Sequence, residues 1–194
     1  RKMLSKSVES VMTQVHFMSG TMDNFRNFLK PSDISEHFKV HRILKDVVDL
    51  YRPQLRHYKV ECEIFLEDEG LKKAEVFGFE NELKNVILNV LTNARDAIEE
   101  NNPENGKIRI MITEAGENIC ISIDDNGGGM PQQIMKKIFD PYVSSKGDKG
   151  TGLGLYMAKL IINDRMGGDI YLENTKHGLR VVIELKRTDN REAK

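Results

Sequence analysis

Asn89 and Asn93 stand four residues apart in the segment ILNVLTNARDAIEE (Ile87 to Glu100), and Asp96 follows three residues later. At helical spacing all three share one face. Asparagine is a poor residue for a helix interior, so a pair flanked by apolar Val90, Leu91 and Ala94 needs a reason. Neutral amide oxygens suit Mg²⁺, which takes oxygen ligands and keeps phosphate oxygens and waters in its shell. Two solvated asparagines on an exposed face are the plainer reading of the same spacing.

Three further segments carry chemistry. In SIDDNGGGM (Ser122 to Met130) a strand-like run ends in Asp124 and Asp125 and turns through Gly127, Gly128 and Gly129. A carboxylate at a strand end can accept a hydrogen bond from an exocyclic amine, and glycines let backbone come close to a ligand. A surface turn with two aspartates is the alternative. In KGDKGTGLGLYMAKLII (Lys146 to Ile162), Gly150, Gly152 and Gly154 precede a helix, with Lys146 and Lys149 nearby. Unpaired N–H groups and a helix start attract phosphate. The segment has neither the strand, loop and acidic residue of a dinucleotide fold nor the GK[ST] ending of a P-loop; otherwise it is a flexible loop. In IFDPYVSSK (Ile138 to Lys146), Phe139 and Tyr142 are either apolar anchors of a lid or plain core residues.

The elements that must position these residues follow from periodicity. Val40 to Tyr58 carries a helical stripe, with Pro53 predicting a kink or an end near Arg52. Val60 to Leu66 alternates as a half-buried strand. Phe79 to Glu100 reads as a long helix closed by NNPENG (Asn101 to Gly106). Two alternating strands contain Ile108 to Ile112 and Ile119 to Ile123, with Ala115 and Gly116 in the turn. A short helix is expected over Pro131 to Ile138, a longer one over Leu155 to Met166, and strands over Asp169 to Glu173 and Leu179 to Leu185. This order predicts an α+β fold, a two-layer sandwich with helices on one face of a mixed sheet. Ahead of it, Leu4, Val8, Val11, Val15, Met18, Met22, Phe25 and Leu29 form a heptad seam that ends before Pro31, either a coiled-coil-like bundle helix or an amphipathic helix packed on its own domain. KPSDISE (Lys30 to Glu36) reads as linker. The expected units are therefore 1–30, a linker over 31–37, a main domain over 38–188 and a tail over 189–194.

Bulk properties exclude several classes. The 194 residues are 39% apolar and 30% charged with net charge −1. This balance favours neither nucleic acid nor an anionic membrane. No apolar run is long enough to span a bilayer, and RKMLSKSVES is not a signal peptide. The first residue is Arg1, so a longer parent is expected, with room for an upstream membrane anchor. The two cysteines, Cys62 and Cys120, lie in strand-like runs as structural thiols. They form no zinc motif and fit a reducing, cytoplasmic setting.

In this order and spacing the four segments resemble the ATPase domain of sensor histidine kinases, a family shared with DNA gyrase, a heat-shock chaperone and the mismatch-repair ATPases. The asparagine helix resembles its N box, DDNGGGM its first glycine box, IFDPYVSSK its phenylalanine box and GTGLGL its second glycine box. The resemblance implies a Bergerat-type fold that binds ATP with Mg²⁺. It assigns Mg²⁺ to Asn93 and Asn89, the adenine amino group to Asp125, and the base wall to Gly129. Gly150, Gly152 and Gly154 would wrap the phosphates, Lys146 would reach the terminal phosphate, and Phe139 to Thr151 would form an ATP lid. Asp96, Ala97, Gly127, Met130, Thr151, Leu153 and Leu155 complete the implied ATP-binding set. In ATP-hydrolysing relatives a glutamate stands four residues before the metal asparagine; here that position is Asn89, which cannot act as a base. This favours phosphoryl transfer over hydrolysis.

TMDNFRNFLKPS (Thr21 to Ser32) resembles the second helix of the kinase dimerisation and phosphoacceptor hairpin. The first helix, with its histidine followed by an acidic residue, has no counterpart. His16 lacks the acidic neighbour, and His37, His41, His57 and His177 occur in ordinary contexts. The expected protein is the catalytic domain of a two-component kinase, unable to phosphorylate itself as this fragment. Its parent would be a homodimer through the N-terminal helix, with a response-regulator receiver domain as partner. Two rivals remain: an ATP-hydrolysing switch module, which Asn89 disfavours, and a nucleotide-binding scaffold without activity.

Overall fold

The structure is a computed structural model that describes residues 34–144 and 152–188. The heptad seam, His16 and the 189–194 tail lie outside the described residues. A short strand β1 (Glu36–Lys39) leads into helix α1 (Val40–His57), followed by β2 (Val60–Leu66), a 3₁₀ turn (Glu69–Lys73) and β3 (Glu75–Gly78). Helix α2 (Glu80–Asn101) then precedes the hairpin β4 (Gly106–Ala115) and β5 (Asn118–Asp125). A one-turn helix α3 (Gln132–Met135), helix α4 (Gly154–Lys159) and strands β6 (Asp169–Asn174) and β7 (Leu179–Lys186) complete the order.

The main sheet has the order β2-β4-β5-β7-β6, with β2 parallel to β4 and every other pair antiparallel. Alternation sets its inner face. Ile108, Ile110 and Ile112, Ile119, Ile121 and Ile123, and Val181, Ile183 and Leu185 all point inward and are buried. Intervening residues such as Arg109, Ser122 and Asp124 point outward, half-buried or exposed. Helices α1, α2 and α4 supply the second layer. The α1 stripe of Ile43, Leu44, Val47, Val48, Tyr51 and Leu55 is buried, as is the α2 stripe of Leu83, Val86, Ile87, Val90, Leu91, Ala94 and Ile98. The expected two-layer α/β sandwich is therefore observed.

Local chemistry explains the boundaries. Glu80 and Glu82 occupy the first turn of α2, where negative charge complements the helix dipole. The helix stops at Asn102, whose left-handed φ of 46° caps the last turn with its N–H on the Ile98 carbonyl at 2.8 Å, a common C-terminal device. Pro53 does not end α1, which continues to His57. Pro53 and Asp49 both lie on the exposed face, so the carbonyl that proline leaves unpaired faces solvent, while buried Tyr51 and Leu55 hold the helix down. The helix expected over Pro131 to Ile138 is only Gln132–Met135, continued by turns. The last helix changes character: α-helical to Lys159, it widens to a π turn over Leu160–Arg165.

Two strands were absent from the sequence reading. β1 pairs antiparallel with β3, from Glu36 opposite Gly78 to Lys39 opposite Glu75, so Glu36 and His37 of the expected linker are strand residues. The ribbon is tied to the end of β7 by the Thr188 N–H on the Glu75 carbonyl at 2.8 Å. The two thiols are half-buried, as their strand positions predict, and burial pushes the Cys62 thiol up to about 12. No helix among the described residues is long and apolar enough to cross a membrane.

Ile121 sits in the central strand with no exposed surface. Ile121→Ala should lower unfolding free energy by about 2–5 kcal/mol in urea titration, whereas Ser122→Ala on the outer face should stay within about 0.5 kcal/mol. Equal effects at the two positions would contradict the assigned faces.

Candidate functional site

A cavity of about 460 Å³ opens between α2 and the ends of β5, β6 and β7. Its helical wall is one face of α2: Asn89, Asn93, Asp96 and Ala97 line it, with Val90, Ala94, Glu100 and Asn101. Residues 89, 93, 96 and 100 recur at three- and four-residue intervals, so the polar face of α2 looks into the cavity, bordered by Val90 and Ala94 at the edge of its buried stripe. The Asn93 amide donates to Asn89 Oδ1 at 3.0 Å, which orients the two side chains together.

Asp125 forms the floor. As the last residue of β5 it continues the inward series Ile119, Ile121 and Ile123, and only 9% of it is exposed. The N–H groups of Gly127 and Leu179 donate to its Oδ1 at 2.8 and 3.4 Å. Burial raises the carboxyl to about 6; these two hydrogen bonds lower it, and neighbouring Asp124 raises it further. Asp124 points the opposite way and is paired by Arg180, whose Nε and Nη2 donate to Oδ1 and Oδ2 at 2.6 and 2.7 Å. Of the two adjacent aspartates, only Asp125 faces the cavity, since strand alternation allows one of them inside.

Glycines bring backbone against α2 and against the floor. A Cβ on Gly127 would lie 2.5 Å from the Ile98 nitrogen, and one on Gly154 2.4 Å from Asn89 Nδ2. Gly128 and Gly129 also line the cavity, as do Met130 and Pro131. The turn is held from outside. Asn174 Oδ1 accepts from the Met130 N–H and its Nδ2 donates to the Met130 carbonyl, both at 2.8 Å, and the Gly128 N–H bonds the His177 carbonyl at 3.2 Å. The chain on either side of residues 143–151 converges, with the Tyr142 N–H on the Gly152 carbonyl at 3.1 Å.

Of the residues expected from sequence, the cavity gathers Asn89, Asn93, Asp96, Ala97, Asp125, Gly127, Gly129, Met130, Gly152, Gly154 and Leu155. Phe139 and Leu153 are not in its lining. The Lys159 ammonium lies over the Phe139 ring, 5.0 Å from its centre, and Leu153 is 37% exposed. Lys146, Lys149, Gly150 and Thr151 fall outside the described residues. The sequence reading missed the apolar wall of Ile123, Ile138, Leu172, Leu179 and Val181. Each is an ordinary core residue by pattern, and no local signal separates those that face a cavity from those that face a helix. Asn101 and Ser144 were also missed.

Mg²⁺ fits this donor set in one particular way. Among the described residues no group of three or more His, Cys, Asp or Glu could hold a metal alone. A cation here must bring oxygens of its own, and Mg²⁺ bound through few protein groups with phosphate and water oxygens does so. The Asn89 and Asn93 amides would offer the protein's share.

The buried carboxylate has a measurable cost. The folded chain holds the Asp125 proton up to about pH 6, whereas the unfolded chain releases it near 3.8. Folding therefore binds a proton in that window, and stability falls as pH rises through it. The loss is complete above about 6 and amounts to roughly 2–3 kcal/mol. Asp125→Asn keeps an acceptor for both N–H groups and removes the charge. In urea titrations the variant should be more stable than the parent chain at pH 8, with the gap narrowing toward pH 4. Equal midpoints at both pH values would show that the carboxylate is held at no cost.

Known proteins resemble this chain in sequence and in fold. Residues 78–189 match the profile of the histidine kinase-, DNA gyrase B- and HSP90-like ATPase family. The nitrogen regulation protein NtrY of Azorhizobium caulinodans is 30% identical over 190 residues, which is 95% of this chain and 24% of NtrY. The catalytic domain of histidine kinase ThkA aligns with a TM-score of 0.69 at 26% identity, covering 80% of this chain and 97% of that domain. ThkA in complex with the response regulator protein TrrA aligns with a TM-score of 0.64 at 23% identity, over 95% of this chain and 52% of that one, a likeness of fold alone. The chain spans about a quarter of the length of the curated relatives it matches. With more than half of its residues inside the family profile, the chain belongs to the histidine kinase-, DNA gyrase B- and HSP90-like ATPase family.

Proposed function

We propose that this chain is the catalytic domain of a two-component sensor histidine kinase, binding Mg·ATP in the cavity between α2 and the sheet. The single observation that carries the reading is Asp125, an ionisable acceptor buried at the closed end of a cavity whose far wall offers amides and glycine backbone. A purine fits that end: its amino group donates to the carboxylate, and Ile123, Leu172, Leu179 and Val181 supply the apolar surface for the ring. The triphosphate then runs along α2 toward Asn93, Asn89 and the Gly152–Gly154 backbone. Bound Mg²⁺ would be held by the Asn93 and Asn89 oxygens and would offset phosphate charge.

In this reading the γ-phosphoryl passes to a histidine that none of the five in this sequence fits by context, and then to an aspartate of a response-regulator partner. Residues 38–188 form the ATPase unit, with Lys146 at the terminal phosphate, Phe139 to Thr151 as the lid, and 1–30 as a dimerising bundle helix. The parent protein places this domain in the cytoplasm. Position 89 supports transfer over hydrolysis, because an amide cannot take a proton from water; positioning and charge compensation are what phosphoryl transfer needs.

Two measurements test this. Asp125→Asn should weaken ATP binding at pH 8 by about 1–3 kcal/mol in calorimetry, roughly 5- to 150-fold. Affinity for the parent chain should also fall as pH drops through about 6, since the neutral carboxyl is a weaker acceptor for the base amino group than the carboxylate. Unchanged affinity in the variant would remove Asp125 from the site. Second, phosphate release by the chain alone should stay near background, while labelled ATP should transfer label to a separately supplied phosphoacceptor hairpin, and Asn93→Ala should abolish transfer. Rapid phosphate release lost in Asn93→Ala would favour a hydrolytic switch, and tight ATP binding with no transfer would favour a scaffold.

A further inference from the structure

Asp96 sits where a phosphate-binding wall should not carry negative charge. It lines the cavity on the same face of α2 as Asn89 and Asn93. A carboxylate at a triphosphate site is repelled by its ligand unless it faces another part of it. The axial order of α2 shows which part. At about 1.5 Å per residue, Asn89 and Asn93 mark one end of the wall. The other begins at Ala97, where the turn after Asp125 presses with Gly127 packed on Ala97 and Ile98, and it continues to Glu100 and Asn101. Asp96 lies between the two ends. If base and phosphates occupy those ends, the nucleotide's sugar passes Asp96. A vicinal diol is the group on a nucleotide that a carboxylate suits, since both hydroxyls can donate to it.

The side chain is also held for such a task. Arg95 Nε donates to Asp96 Oδ1 at 2.9 Å, and Nη2 reaches the same oxygen. Arg95 is in turn fixed on α1. Its Nη1 donates to the Tyr51 hydroxyl at 2.6 Å, and its guanidinium lies 4.9 Å from the centre of the Tyr58 ring and 5.8 Å from that of Tyr51. An arginine stacked on two aromatic rings loses little further freedom by holding a carboxylate. It also offsets the charge of Asp96 beside a polyanion.

We propose that Asp96, positioned by Arg95, is the ribose-reading residue of the cavity and makes the site selective for ribonucleotides over deoxyribonucleotides. This rests on the nucleotide reading above and adds a specificity to it. The test is calorimetry of the full chain with ATP, 2′-deoxy-ATP and 3′-deoxy-ATP. For the parent chain, loss of a hydroxyl that donates to the carboxylate should weaken binding about tenfold or more. In Asp96→Ala the ratio of ATP to deoxy-ATP affinity should fall to near one, and in Asp96→Asn, which retains an acceptor oxygen, to an intermediate value. The ratio is the readout because removing a negative charge also changes affinity for every triphosphate alike. Arg95→Lys should reduce the ratio too, since a lysine keeps the charge but not the fork or the stacking. Tight ATP binding by the parent chain without discrimination would overturn the assignment, as would discrimination that persists in Asp96→Ala. Absence of any ATP binding by the parent chain would overturn the nucleotide reading itself, a result distinct from either.

Discussion

A carboxylate at the inner end of a central strand is the constraint around which this domain is built. Strand β5 places Ile119, Ile121 and Ile123 in the core, and alternation requires the next inward residue to be Asp125. Desolvation disfavours its charge, and two backbone N–H groups only partly compensate, so the carboxyl is held up at about 6. A purely structural role would be served as well by an apolar side chain. A buried ionisable acceptor facing a cavity is expensive for the fold and useful for recognising a donor, which is the common signature of a binding site.

That carboxylate works only if the backbone around it is close and rigid. Gly127 lies against the α2 backbone, Gly154 against Asn89, and Gly178 against Asp125 itself, where a Cβ would stand 2.0 Å from the Asp125 carbonyl oxygen. The loop between β6 and β7 acts as an outside brace. Asn174 holds both polar groups of Met130, Thr175 Oγ1 accepts from the Gly178 N–H at 3.0 Å, and Leu179 N–H reaches Asp125. The cavity floor is thus supported by residues about 50 positions away in the chain, on strands that pair with β5 through β7.

Charge is arranged by position rather than by excess. The chain is nearly neutral overall, yet cations and anions are paired away from the cavity floor. Arg180 neutralises Asp124 on the outer face, and Arg95 neutralises Asp96 at the rim. At the opposite end of α2, the buried Glu82 is met by Arg165 from the π turn. Asp125 is buried at the cavity and its charge is met by two backbone N–H groups, and a base with an exocyclic amine is a natural complement to it.

The sequence alone determined what is periodic or contiguous. Period two in β4 and β5, the helical stripes of α1 and α2, and the glycine clusters after Asp125 and before Leu155 all depend on neighbours a few residues apart, so the main elements and most of the cavity's polar residues were legible. Tertiary structure decided what depends on distant partners. Strands β1 and β3 are four residues each and pair across 36 to 42 positions, too short to show a period. Whether Pro53 broke α1 depended on which side faced solvent. Phe139 and Leu153 belong by motif to the same segments as cavity residues, yet Phe139 lies under the Lys159 ammonium at the end of α4 and Leu153 is partly exposed to solvent. Asn174, Leu179 and Arg95 look ordinary in one dimension because their importance lies in what they touch, and contact between residues far apart in a chain leaves no local pattern to read.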